Sequence, residues 1–387
     1  MKSIILLMIV CICLTACSAK KEHKEEESFI KISENYETES SKESEPDEPV
    51  SIFSKEEEER FCEEAMRAAD LCSDIYREAE LINPDSDYSY RILTEDQCQR
   101  LVERLGEEGF VSVADDMNME NYEQVNLFYS EYISGKDSMV TVFKVYESGI
   151  LSSQTFACRN GSLQFYYVGM EWNRDGNPEI IGCGMNELES ILLTEKGYFI
   201  YRNAYVMEHA SFGGYFRVEP LSEMCRQLTK KYVKGLSYLN YNMLVTNWDE
   251  SNVTDILMPC MFEDIYRIYT EENLKVEDGR IPAGIYEQIM TRYFPVTTDE
   301  LRQYCGYDTD EDSYKYERIR AKPYPVFGEV VDYSENGDGT WTLIIDGVRP
   351  DYNEDCVYKN KLVVCPFEDG TFKYLSNNVE EKVHFDF

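Results

Sequence analysis

The sequence has no Cys-x-x-Cys pair, only three histidines, and about half as many basic as acidic residues, 38 against 74. Each shortage excludes something. Without Cys-x-x-Cys, zinc ribbons and thioredoxin-like redox sites have no support. With only His23, His209 and His384, a Ser-His or Cys-His mechanism has to rest on His209 or His384, because His23 lies in a polar lead. His209 is followed by Ser211, but no nucleophile-elbow glycines surround it. The net charge of −36 leaves no basic footprint, so nucleic acid is excluded as a partner. Phosphate-rich polymers are repelled over about 8 Å at physiological salt, and cations are attracted. No apolar run reaches the roughly 20 residues that a spanning helix needs.

What is present begins at the start of the chain. Lys2 precedes an apolar run from Ile4 to Ile12, and Leu14, Thr15, Ala16 and Cys17 follow. A basic residue, a short apolar core and small residues before a break are the parts of a secretory signal. Leu14-Thr15-Ala16-Cys17 resembles the lipobox of bacterial lipoproteins. That resemblance implies cleavage between Ala16 and Cys17, a diacylglyceryl group on the Cys17 sulfur and an acyl chain such as palmitate on its amine. A thiolate is nucleophilic enough for a thioether-linked lipid, and two chains anchor stably where one does not. The expectation is a protein lipid-anchored at the extracytoplasmic face of the cell membrane.

Residues 17–53 read as the lipidated cysteine and a disordered acidic linker. The stretch is dominated by Lys, Glu and Ser, with Pro46 and Pro49 near its end, and cannot bury enough apolar surface to offset its ordering entropy. As a flexible coil it spans about 30–35 Å.

The rest predicts an α+β fold, helices followed by an antiparallel β-meander, in two lobes assigned to 54–246 and 253–387. Ser54 with Glu57, and Thr94 with Gln97, read as capping boxes. Behind the first, Phe61, Ala65, Ala68, Cys72, Ile75 and Ala79 mark one helix face. A third helix is predicted over Met119–Ile133. Met139–Tyr146, Ser152–Cys158 and Leu163–Met170 read as strands, the last two joined at Asn160-Gly161. Ser222 to about Leu244 reads as a helix, and loop Asn247–Asn252 as the domain boundary. Helices over Pro282–Phe294 and from N-cap Thr298 follow, and strands close the chain.

Taken together, the lipobox, the acidic tether, the stretch from Ile281 to Glu287 (Ile-Pro-Ala-Gly-Ile-Tyr-Glu) and the ending from Asp369 to Asn377 (Asp-Gly-Thr-Phe-Lys-Tyr-Leu-Ser-Asn) resemble uncharacterised lipoproteins of clostridial Firmicutes. That resemblance implies the localisation and no mechanism.

One local motif points to chemistry. Glu171, Asn173 and Asp175 alternate ahead of Gly176, with Glu179 beyond. The run resembles the D-x-N-x-D-G-x-x-D/E loops of calcium-binding repeat folds. Calcium takes six to eight hard oxygens, and a glycine lets alternating side chains converge. The competing explanation is a turn built by Asn, Asp and Gly for backbone reasons. Asp308, Asp310 and Asp312 have acidic spacing without the following glycine, which reads as a solvated loop. Tyr166, Tyr167 and Trp172 are candidates for an exposed platform that stacks on glycans or peptides. The ten cysteines beyond Cys17 fit either disulfides or packed thiols. The functional expectation is a binding or envelope-interaction module, with an extracytoplasmic carboxylate-dependent, calcium-assisted hydrolase as the alternative.

Overall fold

The computed structural model describes residues 50–84, 89–204, 213–238, 242–256, 258–276, 278–316, 326–350 and 354–382. Ala16, Cys17, the acidic stretch up to residue 49 and all three histidines lie outside the described residues.

The fold is α+β, in two compact units. The first comprises residues up to Ile191 together with Tyr201–Val218. Its helices are α1 (Lys55–Glu78), α2 (Glu95–Glu107) and α3 (Glu123–Ile133). The capping boxes at Ser54/Glu57 and Thr94/Gln97 both form, which fixes where α1 and α2 begin. The predicted face of α1 is buried, and its alanines Ala65, Ala68 and Ala69 let the helix lie close to the sheet. A short two-stranded ribbon, β1 (Glu80–Ile82) with β2 (Tyr90–Ile92), links α1 to α2.

The main sheet runs in the order β3 (Val111–Ala114), β4 (Ser138–Val145), β5 (Leu151–Arg159), β6 (Ser162–Trp172), β7 (Pro178–Leu193), β8 (Tyr198–Asn203), β9 (Gly213–Arg217). It is not a pure antiparallel meander, because β3 pairs parallel with β4 after the α3 crossover. One face, with Phe143, Val145, Tyr166, Val168 and Met170, packs with the buried face of α1 and α2. On the other, Tyr201 of β8 meets Phe156 of β5 at 5.0 Å between ring centroids, and its hydroxyl donates to Gln154 Oε1 at 3.1 Å. Strands β5 and β8 are not neighbours, so the sheet curls over its own face.

The folded part starts earlier than residue 54. Gln164 Nε2 donates to the Val50 carbonyl and Gln164 Oε1 accepts from the Ile52 N–H, each at 2.8 Å. Arg159 holds Glu57 through two bonds of 2.8 and 2.6 Å and also donates to the Ile52 carbonyl. The Arg159 hydrogen bonds, with the Ser54 N–H, hold the Glu57 carboxyl at about 2, well below its ordinary 4.5. A depressed carboxylate gives stability that is complete above its unfolded value and lost as pH falls through the folded one. Acid unfolding is therefore expected to draw on this pair between about pH 4.5 and 2. In Arg159→Met that part of the acid limb should flatten when urea stability is measured against pH.

The second unit comprises Leu192–Ile200 and everything from Glu219 onward. Its centre is an antiparallel sheet in the order β13 (Phe327–Glu335), β14 (Trp341–Arg349), β15 (Glu354–Pro366), β16 (Phe372–Lys382). Around its core pack α4 (Glu223–Tyr232), α5 (Met258–Thr270), α6 (Ala283–Tyr293) and α7 (Thr298–Tyr304). Three short strands, β10 (Arg280–Pro282), β12 (Ser313–Lys315) and β11 (Tyr307–Asp308), form a further sheet.

The division between units falls at Val218/Glu219, not in loop Asn247–Asn252. Residues 219–246 belong with the second core, where Leu228, Tyr232, Val233 and Leu236 are buried. The loop expected as a linker is itself stitched to β16: Trp248 and Asn377 exchange backbone hydrogen bonds of 3.0 and 2.9 Å. Helix α4 stops at Tyr232 rather than running to Leu244, and Gly235 takes φ +92° just beyond. The N-cap of α7 is Thr297, whose hydroxyl oxygen accepts the Glu300 N–H as in a capping box, so Thr298 is the first helical residue.

Candidate functional site

Among the described residues, three places gather chemistry-bearing side chains, and the first carries the residues predicted for calcium. In the β6–β7 hairpin, Glu171 and Glu179 stand directly opposite each other, and Gly176 takes φ +76° at the turn. Asn173 closes the turn: its Oδ1 accepts the Asn177 N–H at 3.0 Å and its Nδ2 donates to Glu179 Oε1 at 2.5 Å. Asp175 is exposed at the tip. Burial, and then the Glu179 charge across the ladder, raise the Glu171 carboxyl above its ordinary value. The structure thus brings Glu171, Asn173 and Glu179 together. Among the described residues, no three carboxylate, thiol or imidazole groups gather as a metal-binding set. A cation at the hairpin would have two carboxylates and a carboxamide that already serves the turn. The spacing at 308–312 is likewise a turn, in which Asp308 Oδ1 accepts the Asp310 N–H at 3.1 Å while Oδ2 pairs with Arg280 at 2.8 Å.

The aromatic platform does not form as expected. Trp172 is 3% exposed, its ring stacked on Tyr76 at 3.3 Å with 9° between planes, and its indole N–H donates to Ser73 Oγ at 3.1 Å. Tyr166 is buried too, packed edge-on or tilted against Phe53 and Phe61. Tyr167 is half-buried.

The second place is an open groove of ≈ 450 Å³ along one flank of α1, lined by Lys55, Glu58, Glu59, Cys62, Glu63 and Tyr166. Lys55, Glu59, Cys62 and Glu63 share this flank because they recur at helical spacing. Cys62 and Tyr166 line it, and Cys183 of β7 is near enough to both to add to burial in raising the Cys62 thiol and the Tyr166 hydroxyl above their ordinary values. Burial and the neighbouring Cys183 sulfur push the Cys62 thiol up to about 11.

The third place is in the second unit. Asp346 of β14 is 1% exposed and pairs with the Lys196 ammonium, while the Cys356 thiol of β15 lies 3.5 Å from its other oxygen. The Lys196 backbone N–H donates to Asp355 Oδ2 at 3.1 Å. Burial, then the Asp346 carboxylate, push Cys356 up to about 11, with Lys196 opposing. A thiol so raised stays protonated at neutral pH and is a poor nucleophile. The cluster is a structural strut built on one buried carboxylate.

Neither cysteine cluster was visible in the sequence, because each draws on residues far apart in the chain. All ten cysteines beyond Cys17 are free thiols.

A two-unit α+β protein with free thiols and a self-satisfied acidic hairpin is the class these features define. Residues 56–385 match DUF6070, a family of unknown function, and the chain belongs to that family. No curated protein and no solved structure matches it.

Proposed function

We propose that this chain is an extracytoplasmic lipoprotein, akin to those of clostridial Firmicutes, anchored to the cell membrane through Cys17, and that its folded part is a binding or envelope-interaction module for a glycan or peptide. The observation that carries the reading is the run Leu14-Thr15-Ala16-Cys17 behind a short apolar core. One further feature supports it. The acidic stretch after Cys17 leads into a folded part whose first residues, Val50 and Ile52, are bonded to Gln164. The test is detergent phase partition of cell extracts. The native chain is expected in the detergent phase and Cys17→Ala in the aqueous phase or retained as uncleaved precursor. Normal processing and partition of the variant would refute the anchor.

A second reading, a carboxylate-dependent hydrolase assisted by calcium, has the opposed Glu171–Glu179 pair in its favour. A carboxyl raised above its ordinary value, as Glu171 is, suits general acid–base work, and a divalent cation would relieve the repulsion between the two carboxylates. On this reading calcium raises the melting temperature relative to EDTA, and Glu171→Gln abolishes both that rise and any turnover in a glycosidase and esterase screen. Identical melting in calcium and EDTA, with no turnover, leaves the binding module standing.

A further inference from the structure

The groove beside α1 holds more than a surface depression. Cys62 comes from the helix and Cys183 from the sheet beneath it. Strand register places Met185 opposite Tyr166 and Cys183 opposite Val168. Tyr166 and Val168 belong to the core under α1, and Cys62 and Met185 pack against that core as partly buried neighbours. The face of β6 and β7 that meets the helix therefore carries Cys183 together with Tyr166, on the side from which Cys62 packs, and the three groups influence one another's acidity. The two thiols differ in access. Cys183 is exposed and Cys62 half-buried.

We propose that Cys62 and Cys183 are a reactive dithiol that closes to an intramolecular disulfide by exchange with a small cationic disulfide entering along the groove. The exposed Cys183 thiolate attacks one sulfur of the incoming disulfide and releases a first thiolate. The Cys62 thiolate then attacks the Cys183 sulfur of the mixed disulfide and releases the second. The protein loses two electrons and two protons, and the small disulfide gains them as two free thiols. Cys62 takes the resolving step because the mixed disulfide would hold the Cys183 sulfur beside it, and the proximity of that intramolecular attack offsets the small fraction of Cys62 thiolate. The Tyr166 hydroxyl is placed to donate to whichever sulfur carries charge. Charge sets the preference for the oxidant: the groove sets Glu58, Glu59 and Glu63 against one Lys55, so a cationic disulfide is drawn in and an anionic one held off, an effect that salt screens.

The test uses the full chain, reduced and then treated with cystamine. It is afterwards denatured, alkylated and mapped by mass spectrometry without reduction. The expected result is loss of alkylation at Cys62 and Cys183 together, one cross-linked peptide pair joining them, and full labelling at Cys72 and Cys98. Cys62→Ser is expected to arrest at a Cys183–cysteamine adduct, and Cys183→Ser to leave Cys62 fully labelled. The variant at exposed Cys183 disturbs no core packing, so it separates reactivity from folding. Full alkylation of both cysteines in the native chain, or a Cys183 adduct persisting there while Cys62 is intact, would overturn the proposal.

Discussion

Replacing Trp172 with alanine is expected to lower the unfolding free energy by about 3–5 kcal/mol in urea titrations. The magnitude follows from what the side chain does. Trp172 ends β6 with its ring flat on Tyr76 of α1. Its removal leaves a cavity between helix and sheet in a position that neither element can readily fill. It also strips the hydrogen bond from Ser73, whose hydroxyl otherwise donates to the Ala69 carbonyl. Trp172→Phe keeps most of the stack and loses that bond alone, for which about 1 kcal/mol is expected. A loss below about 1 kcal/mol in the alanine variant would mean that Trp172 is the exposed platform its sequence position suggests rather than a core residue.

Lys196→Met should cost about 3 kcal/mol. The methionine keeps most of the stem volume, so the loss reports the charge. Breaking a buried ion pair from one side leaves the other charge uncompensated, and Asp346 has almost no access to water. The expected value sits at the low end of the range because the Lys196 side chain is 34% exposed. The double variant Lys196→Met/Asp346→Leu should recover a large part of the deficit, since an apolar pair carries no desolvation penalty. The pH dependence has a definite sign. Burial works against the Lys196 charge, but the hydrogen bond to Asp346 outweighs it and raises the ammonium above its ordinary 10.5. A raised lysine contributes stability that is complete below the unfolded value and lost as pH rises through the folded one. The single-variant deficit is therefore expected to hold constant from neutral pH to about 9 and to shrink only in stronger base.

Much of this fold could be read from local chemistry. The helix starts at Ser54 and Thr94 were legible because a capping box needs only four consecutive residues. Strands β4, β5 and β6 were legible because they are β-branched and aromatic, with Asn160 and Gly161 marking the turn, both at positive φ. Strand β7 was legible only at its end. Over Pro178–Leu193 it carries Glu179, Asn186, Glu187 and Glu189 and is largely only half-buried, so no apolar alternation announces it. Helix α5 places its buried Met258, Met261, Phe262 and Ile265 at helical spacing. The division between units was misplaced for a physical reason. Polar loop residues such as Asn247 and Asn252 look like a linker, while Trp248 among them is buried and laddered to Asn377. Of the hairpin residues, the sequence motif located Asn173 and Gly176 at the turn, and the opposition of Glu171 to Glu179 follows from strand register. The groove thiols and the Lys196–Asp346–Cys356 strut needed tertiary structure, because nothing local to any one of those residues distinguishes it.

Lipid attachment at one sulfur is tested most directly by the mass of the N-terminal peptide of the chain purified from membranes. The expected peptide begins at Cys17, lacks Met1 to Ala16, and carries a thioether-linked diacylglyceryl group that remains bound when the protein is reduced. An N-terminal peptide that retains the first sixteen residues, or one that begins elsewhere with an unmodified Cys17 thiol, would contradict it.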